Sequence, residues 1–490
     1  MTDLTPRVPR HRPLLWSDEI LDLLEQLSTV TFDAPIYVVG GAVRDALMHR
    51  PIHDLDLVTP VDSIKLARKI ADILGGDVFV LDHTRGIARV LFDNAQGRQN
   101  LDVTLFRGDT LLADLQARDF TINALAVDVR SDYTQIIDPL DGEGDLIGKI
   151  IKMCSPTALN DDSIRVLRAV RQSVQLGFHL HPETTAAIKE RAEWLRITSP
   201  ERLRDEFHKL LGTSRPATGL RVAMALGVLP IIIPDVAKMP TIEQAPPHVF
   251  TLWNQTLFTV EKLDVILTAI SPKRNDNTAN VFDIGMLTIQ LGRYRTQLNQ
   301  HLDELWADAR PYRPLLILAA LLLSVEPLQT SKKEFQEFLE YTADYLRLSN
   351  AETKRLLEML VAYRVFVDTP TYDVLSVHRY WFTYRGAGID GILLGLAHIL
   401  GVYGVELPQA YWLDRVELAI RWLSAYYDLY DVLVDPPLFL NGNELMEQLQ
   451  LEPSRMIGQL LSALREAQVQ GQVSDSEGAL AFVKGALGGL

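Results

Sequence analysis

The chain has 490 residues, is 47% hydrophobic and carries a formal net charge of −15. That length supports several cores at roughly 150 residues per domain, and that charge argues against indiscriminate nucleic-acid binding while leaving room for a local surface of opposite sign. A single cysteine, Cys154, excludes an internal disulfide framework and cannot by itself make a structural zinc site.

The N-terminal stretch "MTDLTPRVPRHRPLLW" is basic but holds prolines and no apolar core run, so it does not read as a secretory signal. A cytoplasmic protein is the expectation. From about 36 to 155, short β-rich runs alternate with turn signals: "IYVVGG", "HDLDLVT", "DVFVLD", "IARVLF", "LDVTLF", "ALAVDV" and "QIIDPLDGEG". Within "VVGGAVRDALM" an apolar strand runs into Gly40-Gly41 and then a helical spacing, a geometry that brings backbone amides to a phosphate. A short way on, Asp54 and Asp56 of "DLDLV" share one face of an extended strand. Paired carboxylates repel unless a cation lies between them, which makes a divalent metal the candidate ligand. A solvated strand face is the plain alternative. Asp102 of "NLDVTLF" is a candidate third acid, or a strand-edge aspartate. Arg118, Asp119 and Asn123 of "ARDFTINALA" are either site residues or a helix cap.

From about 156 the strand signals stop. In "DDSIRVLRAVRQSVQLGF", Ile164, Leu167, Val170 and Val174 repeat at helical spacing, and Asp162 and Arg165 lie three apart on one expected helix face. Between Arg165 and Arg215 ten lysines and arginines face six acids, an excess of four that leaves −19 for the rest. The longest apolar run, Leu315–Val325, is too short for a bilayer and reads as a buried helix. Turn-rich boundaries fall near 213–219, 271–280 and 434–443.

In this order, "GGAVRDAL…DLDLVT", "RDFTINALA", "DPLDGEGDLIGKIIKM" and "DDSIRVLRAVR" resemble the class II tRNA nucleotidyltransferases, the CCA-adding enzymes, and the related bacterial poly(A) polymerases. The resemblance is close from Tyr37 to Leu211 and extends to "GNELMEQLQLEPSRMIGQLLSALREAQVQGQV" at the tail. It implies an α+β fold: a nucleotidyltransferase head with a small β-sheet (1–155), a helical neck for base recognition (156–215), a helical body (216–365) and a helical, tRNA-binding tail (366–490). It implies Mg2+ at Asp54 and Asp56, with Asp102 as the further catalytic acid. Gly40, Gly41, Arg44, Arg118, Asp119, Asn123, Asp162, Arg165 and Arg168 form the implied nucleotide-binding set. The implied reaction is addition of C and A to the 3′ end of tRNA from CTP and ATP, with no membrane involved. Poly(A) synthesis, or addition of C or A alone, fits the same motifs, and a non-catalytic tRNA-binding protein is the reading from another class. Adenine and cytosine both offer an exocyclic amine beside a ring-nitrogen acceptor, so a carboxylate with a guanidinium, Asp162 with Arg165, would accept both and refuse G and U.

Three departures stand out: Asp161 where a glutamate is usual, Ala117 where an arginine is usual, and Gln172 where an aromatic residue is common. The neck segment "ERLRDEFHKLL", with Arg202 and Arg204, is implied to buttress the pocket. Switching from C to A is expected to depend on a flexible head loop, residues 82 to 98. The body resembles an HD phosphohydrolase domain in which His248 survives, while Thr251, Gln255, Leu323 and Ser324 stand where other metal ligands would, so it reads as a degenerate scaffold.

Overall fold

A computed structural model describes residues 4–52, 54–94, 97–272 and 282–487. Its contacts divide the chain into two units, the first Met1–Arg202 with Ala225–Ile232, the second Leu203–Met224 with Ile233–Leu490.

The first unit is built on a six-stranded sheet of β1 (Tyr37–Val39), β2 (Leu55–Thr59), β3 (Asp77–Asp82), β4 (Ile87–Asn94), β5 (Gly97–Leu105) and β6 (Ala126–Asp128), in the order β3-β4-β5-β2-β1-β6. Only the β2–β5 pair is parallel, because the chain between them leaves the sheet for the helix Ser63–Leu74 and returns through the β3–β4 hairpin. Burial alternates along β4, hiding Ala88, Val90 and Phe92, as period-two apolar residues demand when one face covers a core. The helix Ser63–Leu74 starts at Asp62, whose carboxylate accepts from Lys65 N–H at 3.0 Å, and stops at Gly75 with φ +66°.

Three expectations change here. Residues 82 to 94 and 97–98 of the expected head loop belong largely to the β3–β4–β5 meander, since β4 and β5 pair from Ile87 opposite Thr104 to Asn94 opposite Gly97; residues 95 and 96 lie outside the described residues. Among the described residues after 156, expected to be all helical, there is one two-residue strand, β8 (His179–Leu180), which pairs in parallel with β7 (Ile150–Ile151). Finally, "DDSIRVLR" is not one helix. The turn Ala158–Asp161 ends at Asp162, which is extended (φ −155°, ψ 106°), and the helix Ile164–Leu176 starts afresh after Ser163.

The second unit is helical. The apolar run at 315 becomes the helix Arg313–Leu322, with Leu315 to Leu322 entirely buried. Beside it in sequence order, Leu252–Ile270, Asn350–Asp368 and Gly386–Tyr403 pack together as the central helices. Among the described residues one helix, Gly386–Glu406, is long and apolar enough to cross a membrane, and it is mostly buried inside the unit. Its glycines explain the close approach: a Cβ at Gly391 would lie 2.7 Å from that of Ala362, and one at Gly395 2.5 Å from the Phe366 ring. A small core of Leu440, Leu445, Ile457, Leu460 and Leu464 holds the last helices together. The 271–280 boundary lies outside the described residues except for Ser271 and Pro272.

Candidate active site

The parallel pairing of β2 and β5 sets Asp56 opposite Asp102, and β4 sets Arg89 opposite Asp102 from the other side. Asp54 stands just before β2 and is exposed, while Asp56 is half-buried within it. Arg89 grips Asp102 through two bonds, Nε to Oδ1 at 2.7 Å and Nη2 to Oδ2 at 2.8 Å. Burial pushes the Asp56 carboxyl up to about 6, helped by the negative charges of Asp102 and Asp54 and opposed by Arg118 and Arg107. Asp56 is therefore short of positive charge, whereas Asp102 is matched by Arg89. Hard carboxylate oxygens with unmet charge fit a divalent cation of the Mg2+ type. Among the described residues, however, no three His, Cys, Asp or Glu side chains close on one metal position. Asp102 is turned to Arg89, and the donors left are Asp54 and Asp56.

Gly40 opens the helix Gly41–Leu47 with φ +79°, a conformation that L side chains rarely adopt. A Cβ there would sit 3.4 Å from both Arg118 Nη1 and Asp56 Oδ2, so the Gly40 backbone lies directly against the acid and a guanidinium. Arg118 is itself fixed by Asp114, whose Oδ2 accepts from Nε at 3.0 Å and Nη2 at 2.9 Å; Asp114 Oδ1 accepts from Arg107 N–H at 3.1 Å. Burial, then the charges of Arg118 and Arg165, press the Arg107 pKa down. A surplus of positive charge thus lies beside the deficit.

A second network is centred on Asn123. Its Oδ1 accepts from Arg44 Nη1 at 2.7 Å, and its Nδ2 donates to Asp119 Oδ1 at 3.0 Å and to Gln172 Oε1 at 3.1 Å. Arg168 Nη1 donates to Asp119 Oδ2 at 3.2 Å. Burial works to raise the Asp119 carboxyl, but Arg168, the Asn123 amide and the Phe120 N–H hold it below the usual carboxylate range. Asp119 and Asn123 do meet, through the 3-10 turn Thr121–Asn123 rather than an α-helical face. Gln172, the departure from an aromatic residue, supplies the acceptor for the second amide proton of Asn123.

Asp162 and Arg165 are not bonded to each other. Asp162 Oδ2 accepts from Arg202 Nη2 at 2.7 Å. Arg165 is buried and donates to three carbonyl oxygens, those of Ala158, Ala117 and Arg118, at 2.8, 2.8 and 3.2 Å. Two of its five N–H groups, Nε–H and one on Nη2, stay uncommitted. The extended backbone at Asp162 separates the pair that an unbroken helix would have stacked.

Sequence reasoning passed over Arg89 and Arg107. Arg89 sits in "IARVLF" on the same strand face that Asp102 occupies on β5, so only the β4–β5 register reveals it. Arg107 follows β5 directly in "TLFRGD" and carries no periodic signal.

A mixed sheet with acids on neighbouring central strands, a glycine turn against them and a flanking guanidinium cluster defines a nucleotidyltransferase head. Residues 36–152 match the family described as the Poly A polymerase head domain, and residues 177–239 match that described as the probable RNA and SrmB-binding site of polymerase A. The CC-adding tRNA nucleotidyltransferase of Geobacter sulfurreducens is 31% identical over 450 residues, covering 89% of this chain and 88% of that protein. The A-adding tRNA nucleotidyltransferase of Deinococcus radiodurans is 29% identical, covering 91% of this chain and 94% of its own length. A CCA-adding enzyme of Leuconostoc citreum is 39% identical over 213 residues, 41% of this chain and 51% of that one. The structure of the Thermotoga maritima CCA-adding enzyme complexed with tRNA shares the fold, with a TM-score of 0.61 at 19% identity over 98% of this chain and 99% of that one. The chain belongs to the tRNA nucleotidyltransferase and poly(A) polymerase family.

Proposed function

We propose that the protein adds C and A residues to the 3′ end of tRNA from CTP and ATP, releasing pyrophosphate. The observation that carries this is the acid pair Asp56 and Asp102 on adjacent parallel strands, with the Gly40 backbone and Arg118 against Asp56. In the reaction the 3′-hydroxyl oxygen of the tRNA forms a bond to the α-phosphorus as the bond to pyrophosphate breaks. Asp54 and Asp56 would hold Mg2+, which would supply activation of the hydroxyl and neutralisation of the triphosphate and leaving group. Asp102 completes the acidic set from β5. The Gly40-Gly41 turn admits the triphosphate close to the backbone, and Arg118, fixed by Asp114, supplies positive charge there. Arg44, Asp119, Asn123 and Arg168 form the frame that keeps the pocket rigid. Asp162 and Arg165 read the base, and Arg202 holds Asp162 until a base replaces it.

We assign 1–155 to the head, 156–215 to the base-reading neck, 216–365 to the body and 366–490 to a tRNA-binding tail, in a cytoplasmic protein. The tail region carries fifteen acids against seven lysines and arginines, so its RNA contacts are local and suit one folded RNA rather than any strand.

A second reading, addition of C alone or A alone, is favoured by the names of relatives that align over about nine-tenths of the chain, CC-adding and A-adding enzymes among them. One experiment separates them. The purified protein is incubated with tRNAs ending before each added position and with each labelled triphosphate, and the products are sequenced. Addition of two C residues and then A supports the first reading. A halt after the second C, or addition of A only to tRNA already ending in CC, supports the second, and no incorporation at all overturns both.

A further inference from the structure

Arg89 on β4 lies directly opposite Asp102 on β5, and Asp102 lies opposite Asp56 on β2. Residues opposite each other on paired strands share a face of the sheet, so three neighbouring strands carry a cation and two carboxylates in one row. Asp54 stands exposed two residues ahead of Asp56. Arg89 responds to the whole row. Its hydrogen bonds to Asp102 hold its pKa up against burial, and the charges of Asp102, Asp54 and Asp56 add to that effect.

The hold on Asp102 uses both carboxylate oxygens. Nε meets Oδ1 at 2.7 Å and Nη2 meets Oδ2 at 2.8 Å, the two-bond fork that makes an arginine–carboxylate pair strong and directional. The two side chains are 39% and 27% exposed, so water and ions reach the pair. A divalent cation binds a carboxylate through the same oxygens. A metal at Asp102 would have to share them with a guanidinium whose charge repels it. Asp56 is held less firmly, since Arg118 and Arg107 favour its ionisation through their charge, and burial outweighs them.

We propose that Arg89 locks Asp102 out of the metal set of the empty head, leaving a divalent cation to Asp54 and Asp56, and that Asp102 joins them only when Arg89 lets go. This role rests on the metal reading of Asp54 and Asp56 given above. It makes Arg89 a positioning residue that sets how tightly the head takes its cation before any nucleotide is bound.

The test measures binding of Mn2+, an ion suited to carboxylate ligands, by electron paramagnetic resonance on the full chain with neither nucleotide nor tRNA present. Asp56→Asn in the same titration gives the binding that belongs to the rest of the acidic surface. Above that background, Arg89→Met is expected to bind Mn2+ at least tenfold more tightly than the parent, and adding Asp102→Asn is expected to remove the gain. Arg89→Lys keeps the charge and the strand position but cannot form the fork, so it is expected to gain at least threefold. It separates loss of the fork from loss of charge, and it carries the test should Arg89→Met not fold. The proposal is overturned if Arg89→Met binds as the parent does, if its gain survives Asp102→Asn, or if Arg89→Lys shows no gain. Equal Mn2+ binding by Asp56→Asn and the parent would bring down the metal reading and the lock together. Binding that responds to Asp56 but not to Arg89 would leave the metal reading standing and remove the lock alone.

Discussion

Two groups of buried charge in this protein are finished to different degrees. In the second unit Asp390 is fully buried and accepts from His301 Nε2 at 2.8 Å, from Arg355 Nη1 at 3.2 Å and from the Tyr312 hydroxyl. Close by in sequence, Glu352 accepts from Arg310 Nε at 2.9 Å and from Ser349 N–H at 2.7 Å. Burial opposes ionisation of Glu352, but Arg310 and Ser349 outweigh it and hold the carboxyl below its usual range. In the head the balance runs the other way, and Asp56 is left near 6. Complete pairing marks carboxylates that hold helices together. Incomplete pairing at Asp56 leaves room for a cation, the role proposed for it above.

The comparison breaks most visibly at Asp56. Asp56→Asn is expected to cut nucleotide incorporation by roughly 10⁴-fold, the several kcal/mol a bound cation supplies. The same change removes an undercompensated charge, so the melting temperature should not fall. Incorporation near the parent rate, or a large loss of stability, would place Asp56 among the structural acids.

Glu352→Ala should do the reverse. Breaking a buried, hydrogen-bonded pair costs about 3–5 kcal/mol, read by chemical denaturation, while incorporation per folded molecule stays at the parent level. Because the Glu352 pKa is depressed, its stabilisation is present above the unfolded value and is lost as the pH falls through the folded one.

His208 sharpens the contrast from the side of a base. Both ring nitrogens are buried without partners, and burial lowers its pKa to about 4. Below pH 6.5 the unfolded chain binds a proton that the folded chain refuses, so stability falls between about 6.5 and 4, by up to about 3 kcal/mol. Denaturation midpoints across that range should flatten in His208→Leu; an unchanged slope would assign the loss to other groups.

The smallest expected effect is on base choice. Asp162→Ala should lower the preference for C and A over G and U by about 1–3 kcal/mol of discrimination, measured by single-nucleotide incorporation on defined tRNA ends. Full preference in that variant would mean that the Arg202–Asp162 pair is structural and that the base is read elsewhere.

Much of this architecture was readable beforehand, for identifiable reasons. β-rich runs and turn residues marked the six sheet strands, and the "DLDLV" alternation placed Asp56 on a polar face; a seventh run, "QIIDPLDGEG", makes only isolated bridges at Ile136 and Ile137 before the helix Gly142–Gly148. Asp119 with Asn123 was visible because a four-residue spacing brings two side chains together on an α-helix, and here a 3-10 turn brings the same two together by another route. What escaped depended on contacts across elements. The Arg89–Asp102 bonds require the β4–β5 register, which no local pattern encodes. The break at Asp162 was hidden because "DDSIRVLR" has helical periodicity only from Ile164 onward, and two residues are too few to betray an extended backbone. The β3–β4–β5 meander replaced an expected loop because turn residues at Asp82–Gly86 and around Asn94 punctuate strands there rather than dissolve them.

The parallel pairing of β2 with β5 has one further consequence. Asp56 and Asp102 are neighbours by register alone, and the helix Ser63–Leu74 with the β3–β4 hairpin forms a detour between them whose length the pairing does not constrain. Insertions at the tips of that detour can accumulate over generations without moving either carboxylate. Losing one residue inside β5 ahead of Asp102 would turn its side chain to the opposite face of the sheet. The reacting centre is tolerant of added length and intolerant of a shifted phase, so descendants of this fold can vary freely in size while the acids stay in step.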